Sequence, residues 1–186
     1  FEGTAPTFLM VGTIEPRKGH LQAIRAFELL WSEGVDVQLL VIGSEGWKDV
    51  PVEQKRTIPD ILHALRQRSE TGGKLMWIAD ASDEYLDALY GASACLLAAS
   101  EGEGFGLPLV EAARLGLPIL ARDLTVFREI AGPHAIYFSG NDPGALAEAI
   151  KSWLQLHKDR VAPSSGMKWL TWAENVERLK DFLASS

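Results

Sequence analysis

The twelve residues Glu101–Ala112, EGEGFGLPLVEA, hold three glycines, three glutamates and a proline. Gly104 and Gly106 let a backbone pass close to a ligand, and Pro108 suits a first helical turn, where its missing N–H had no partner to lose. The amides around Phe105, Gly106 and Leu107 are then free at a helix N-terminus, where open N–H groups and the helix dipole attract an anion. Glu103 precedes the turn and Glu111 is expected inside the first helical turn, so the two carboxylates flank an anion site and would accept hydrogen bonds from hydroxyls. Two blander readings stay open from this stretch alone. The glycines could simply punctuate a turn, and Glu111 could simply complement the helix dipole.

A second stretch, GTIEPRKGH (Gly12 to His20), sets Arg17 beside Lys18 just before a helix. A compact ammonium and a guanidinium fork at a helix start suit a phosphate, although a solvated turn would use the same residues. Taken together, a cation pair, free amides and flanking carboxylates describe a site for a diphosphate between two hydroxyl-bearing groups, which is a nucleotide sugar. Glu111 would take the ribose hydroxyls, as an acidic residue does in dinucleotide folds, and Glu103 would face the sugar.

The elements that must position these residues follow from hydrophobic spacing. TFLMVG (Thr7 to Gly12) and VQLLVIG (Val37 to Gly43) are short apolar runs closed by glycine, the form of strands buried on both faces. Between them Ile24, Phe27 and Trp31 recur at helical spacing over Leu21 to Glu33. Strand LMWIA, helix DEYLDALYGA, strand ACLLAA, a helix from Pro108 to about Leu115, and strands PILA and AIYF continue the alternation. The spacing predicts an α/β chain, a Rossmann-like doubly wound parallel sheet whose ligand loops lie at the carboxyl ends of the strands. Ile58, Ile61, Leu62 and Leu65 predict a helix carrying Arg66 and Arg68. Asp142 caps a helix that starts at Pro143 and turns Leu146, Ile150 and Trp153 to one side. Trp169, Trp172, Val176, Leu179 and Leu183 mark a last, C-terminal helix.

With 186 residues, 47% of them hydrophobic, the chain can build one sizeable core, so residues 1–6 read as a linker and 7–186 as one domain. Twenty-five acidic against 18 basic residues, a net charge of −7, argue against a nucleic-acid surface. Cys95 is the only cysteine, which rules out a disulfide framework and a cysteine metal cluster and fits a reducing, cytoplasmic compartment. No apolar stretch nears the roughly 20 residues of a transmembrane segment. The first residue is Phe1, and the linker-like FEGTAPTF suggests part of a longer polypeptide.

SEGEGFGLPLVEA, with seven residues between Glu103 and Glu111, closely resembles the E-x7-E signature of the nucleotide-sugar-binding domain of retaining GT-B glycosyltransferases of family 4. FLMVGTIEPRKG is similar to that family's first strand and phosphate loop. GASACLLAASEGEGFGLPLVEAARLGLPILA, TVFREIAG and DPGALAEAI resemble it in place, so the likeness runs from about Thr7 to Trp153. It implies a GT-B half-domain, with an N-terminal acceptor domain elsewhere in the full chain and the reaction in the cleft between them. Arg17 and Lys18 would neutralise the leaving diphosphate, and Glu103 with the amides of Gly104, Phe105, Gly106 and Leu107 would hold the transferred sugar. Glu111 would hold the ribose, Gly12 and Thr13 would border the phosphates, and backbone near Ile78 would meet the base. Many members carry arginine where this chain has Thr13, which leaves the clamp to Arg17 and Lys18.

The likeness further implies transfer with retention, no metal, no cofactor beyond the nucleotide diphosphate sugar, and a glycan or lipid acceptor. The GTIEPRKG form is similar to mannosyltransferases of the family and tilts the donor towards GDP-mannose. Alone, the chain is expected to bind donor but hardly turn it over. A rival reading is a non-catalytic nucleotide or nucleotide-sugar module. A dehydrogenase is disfavoured because GTIEPRKG is not G-x-G-x-x-G, and a glycosidase because its two carboxylates must flank a scissile bond. His20, His63, His134 and His157 are scattered, with His20 the one beside the phosphate loop. Most tryptophans sit at core spacing, with Trp47 the exception that could face a sugar.

Overall fold

The computed structural model describes residues 5–70, 73–158, 166–167, 174, 176–177 and 180–181. Strands β1 (Thr7–Val11), β2 (Gln38–Ile42), β3 (Leu75–Ile78), β4 (Cys95–Ala98), β5 (Ile119–Arg122) and β6 (Ile136–Phe138) pair in parallel in the order β3-β2-β1-β4-β5-β6. Helices α1 (His20–Ser32), α2 (Ile58–Glu70), α3 (Asp83–Ala92), α4 (Leu107–Arg114) and α5 (Thr125–Ala131) fill the five connections, and α6 (Pro143–Lys158) follows β6. The expected doubly wound sheet is therefore present, with strand limits within two residues of those read from the sequence.

Side chains alternate across a strand, so each apolar run feeds two cores. Phe8, Met10, Leu39, Val41 and Leu97 pack with α1, α2 and α6 on one face. Leu9, Leu40, Ile42, Leu96 and Ile119 pack with α3, α4 and α5 on the other. On the first face the Phe8 ring lies edge-on to Phe27 at 5.6 Å and to Trp153 at 5.0 Å, which locks α1 and α6 onto β1. Asp142 caps α6 as expected, its Oδ1 accepting the Ala145 amide at 2.8 Å.

The strand order reverses between β1 and β4, and a parallel sheet opens a crevice at that point. Both glycine-bearing loops leave the sheet there. Helix α5 adds an element that spacing alone did not predict. Of the expected last helix, Trp169, Trp172, Leu179 and Leu183 lie outside the described residues, and Val176 is exposed.

Candidate functional site

The loop after β1 is held by main chain. The Ile14 amide donates to Ser44 O at 2.9 Å and its buried side chain pins the loop to the core. Gly43 has φ +149°, and a Cβ there would sit 2.0 Å from Gly12 O. Gly19, at φ +75°, ends the short turn Pro16–Lys18 and starts α1, and a Cβ there would sit 2.2 Å from Ala99 O. Glycine is therefore required at both positions, and backbone touches backbone between the β1 loop and its neighbours. The Glu101 amide donates to Arg17 O at 2.7 Å, joining the β1 loop to the β4 loop.

On this base the two loops meet through charge. Lys18 Nζ donates to Glu103 Oε2 at 2.6 Å, and Arg17 Nη1 reaches Glu103 Oε1 at 3.4 Å and Gly102 O at 3.1 Å. Arg17 Nε also donates to Glu15 Oε2 at 3.0 Å, and Thr13 Oγ1 donates to Glu15 Oε1 at 2.8 Å. Burial pushes the Glu103 carboxyl up, but the Lys18 hydrogen bond, the Gly104 amide and the Lys18 and Arg17 charges outweigh it and hold the group below its ordinary value. It therefore stays ionised, and the cations face it as a ready-made pair.

Helix α4 begins at the same edge. Gly106 has φ +82°, with the Phe127 ring 3.0 Å from where a Cβ would lie, so glycine is needed there both for the backbone and for the space. Gly104 has open space around it and no positive φ, so a side chain is absent there without a packing reason. Among the described residues the amides of Phe105, Gly106 and Leu107 have no backbone acceptor outside the helix, as expected at an N-terminus. The expectation for Glu111 needs one correction: it lies in the second turn of α4, whose first turn carries no acidic residue. The helix dipole acts mainly within the first turn, so complementing it does not explain Glu111. Instead the Glu111 carboxylate accepts the Tyr90 hydroxyl at 2.6 Å.

Gly12, Lys18, Glu103, Phe105, Gly106, Leu107 and Glu111 line one open concavity of about 290 Å³, with Leu86 of α3 on its far wall. Thr13, Arg17 and Gly104 adjoin these lining residues along the chain but do not line it. Ile78 ends β3, two strands from β1 and on the order of 10 Å away, and its carbonyl accepts the Gly43 amide. Only a ligand spanning both strands would meet it.

His20 lies below this surface. It is buried beside a small space of about 20 Å³ that Lys18, Ser100, Glu103 and Pro108 also line, and its Nδ1 has no partner among the described residues. Burial outweighs a hydrogen bond with Glu15 backbone and, with the Lys18 charge, lowers the imidazole to about 4. Trp47, at φ +53°, stacks with Arg56 at 6.0 Å on a separate concave surface with Val50, Glu53 and Gln54. Cys95 is buried, and burial pushes its thiol up, out of reach of ordinary thiolate chemistry. Among the described residues no group of three or more His, Cys, Asp or Glu side chains is arranged to hold a metal ion, and no helix is long and apolar enough to cross a membrane.

Sequence reasoning missed Arg122, the residue that ends β5. Its buried guanidinium donates to Ala99 O at 3.0 Å and Ser100 O at 2.9 Å, to Gly140 O at 2.6 Å and Asn141 Oδ1 at 2.7 Å, and to Gln22 Oε1. Its face lies 5.1 Å from the Phe138 ring centre. One side chain thus ties the β4 loop, the β6 loop and α1 together. The signal was an arginine closing an otherwise apolar strand, LPILAR.

Residues 1–167 match the family described as Glycosyl transferases group 1. The chain is 46% identical over 176 residues to the serotype-specific mannosyltransferase WbdA of Escherichia coli, covering 94% of this chain and 20% of the relative. It is 32% identical to the O-antigen chain mannosyltransferase B of Escherichia coli, covering 79% and 36%. The chain thus spans about a fifth of the length of the first of these relatives and about a third of the second. In fold it is similar to a glycosyltransferase from Rickettsia africae, with TM-score 0.66, 21% identity and coverage of 83% and 39%. It is also similar to a UDP-forming α,α-trehalose-phosphate synthase from Burkholderia xenovorans, with TM-score 0.68, 17% identity and coverage of 82% and 36%.

Proposed function

The chain belongs to the glycosyl transferases group 1 family, and from that premise we propose that it is the donor-binding domain of a retaining, metal-independent glycosyltransferase. The carrying observation is the meeting of Lys18 and Arg17 with Glu103 across the β1–β4 crevice, next to the N-terminus of α4. In this reading a nucleoside diphosphate sugar lies across the concavity. Its diphosphate takes Lys18 and Arg17 and the amides near Gly106, and these cations and dipoles stabilise the charge that develops on the leaving group. Glu103 and the adjacent amides hold the sugar, and Glu111 holds the ribose.

Relatives named mannosyltransferases support mannose as the sugar and, with the GTIEPRKG loop, GDP-mannose as the donor. The acceptor, a glycan or lipid, would bind to an N-terminal domain of a longer protein, in keeping with the small share of the relatives that this chain covers. Calorimetric titration with UDP, GDP and ADP and their mannose and glucose conjugates tests the reading. One nucleotide should bind, its sugar conjugate should bind more tightly, and Glu111→Ala or the pair Arg17→Ala, Lys18→Ala should weaken or abolish the binding of both. Unchanged affinity in those variants would overturn it. Binding with no transfer by the longer protein would favour a non-catalytic nucleotide-sugar module.

A further inference from the structure

Glu111 projects from the second turn of α4 into the concavity, half exposed, on a side chain with three rotatable bonds. A free glutamate there would spread over several rotamers, and ordering it on ligand binding would cost entropy. It is not free, because Tyr90 reaches it from α3. The Tyr90 ring is buried on the second core face, with only its hydroxyl turned towards α4. The 2.6 Å contact is a short, charge-assisted bond, roughly twice as strong as a neutral one. One turn earlier on α3, Asp87 pairs with Arg114 of α4, so a second polar contact joins the two helices one turn from the carboxylate. Ser82 fixes the start of α3 by accepting the Tyr85 amide at 3.3 Å, and Leu86 on the same face lines the concavity.

We propose that Tyr90 is the positioning residue for Glu111: its hydroxyl occupies Oε2 and presents Oε1 to a ligand hydroxyl. The inference rests on the donor-site reading above. Burial and the neighbouring Glu111 charge raise the phenol well above its usual range, so the hydroxyl keeps its proton and donates the hydrogen bond to the carboxylate. Among the described residues no other side chain hydrogen-bonds Glu111, so the orientation depends on this one hydroxyl.

Tyr90→Phe keeps the buried ring and removes only the hydroxyl. The experiment titrates the parent chain, Tyr90→Phe, Glu111→Ala and the double variant with GDP, UDP and ADP, and repeats it with the 2′,3′-dideoxy form of whichever diphosphate binds. Tyr90→Phe should weaken the ribonucleotide about tenfold, the size of one hydrogen bond to a charged group, and leave the dideoxy form unchanged. In the Glu111→Ala background it should do nothing further. Equal losses for both nucleotide forms would mean a merely structural role and overturn the assignment. An unchanged affinity in Tyr90→Phe beside a weakened Glu111→Ala would overturn it while leaving the donor site standing. Parent protein that binds no diphosphate, or Glu111→Ala that binds as the parent does, would overturn the donor-site reading and this assignment with it.

Discussion

Two clusters of positive charge stand at the carboxyl ends of the strands, and they are built on opposite terms. Arg17 is exposed and Lys18 partly buried at the rim of the concavity, with carboxylates as partners, Glu15 and Glu103. Arg122 lies inside, and every partner of its guanidinium is neutral: carbonyls of Ala99, Ser100 and Gly140 and the side chains of Asn141 and Gln22. A phosphate can replace a carboxylate on a lysine at the edge of an open concavity, because both are anions and water can take the displaced group. Nothing can replace five fixed acceptors around a buried guanidinium without unfolding the loops that carry them. The lesson is that the chemistry of a cation's partners, more than its place at a strand end, separates ligand binding from scaffolding.

The sharpest way to break that contrast is Arg122→Met. It should lower unfolding free energy by about 3–5 kcal/mol, since several buried acceptors lose their only donor. Urea denaturation measures it, and Arg122→Lys should fail to restore stability because an ammonium cannot span the same acceptors. A loss under about 1 kcal/mol would place Arg122 with ordinary surface cations.

Next is His20, buried at the start of α1 beside Lys18 and Ser100. Its imidazole is lowered from 6.5 to about 4, so between these values the unfolded chain binds the proton and the folded chain does not. Stability is therefore full above pH 6.5 and falls as the pH drops towards 4, by an amount on the order of 3 kcal/mol. His20→Gln should flatten that limb in unfolding curves taken across the range.

A smaller effect is expected from Lys18→Ala. Nucleoside diphosphate affinity should fall about 10- to 100-fold, the range for a hydrogen bond between charged groups, while stability changes by less than about 1 kcal/mol. Smallest, and opposite in sign, is Glu103→Gln. Removing the resident anion should tighten binding of inorganic pyrophosphate, as measured by calorimetry. The same variant should lose a modest acid limb: a carboxyl held below its ordinary 4.5 stabilises the fold above that value and ceases to as the pH falls through its folded value.

The local signals were legible in the sequence. Apolar runs ending in glycine gave β1 and β2, Asp142–Pro143 gave the start of α6, and GFGLP gave the start of α4, because each depends on neighbours along the chain. Helix α5 is seven residues long and its N-cap, Leu124, makes no side-chain cap, so neither periodicity nor a start residue announced it. The pairs that organise the site are long-range: Tyr90 and Glu111 are 21 residues apart, Arg122 and Gln22 100. The helix DEYLDALYGA carried Tyr90 without marking it, and its hydroxyl partner came only with the approach of α4. The two glutamates were likewise found as a pair, whereas the ion pairs that bring Lys18 and Arg17 to Glu103 required the fold.

The two closest crossings beneath the cleft, Gly43 against Gly12 and Gly19 against Ala99, join main chain to main chain. The residues that set the path of the walls are thus distinct from those that give the walls their chemical character. Thr13, Glu15 and Phe105 can be exchanged in an engineered library while Gly12, Gly19 and Gly43 are held. Such a library would vary what the cleft reads without moving where it stands.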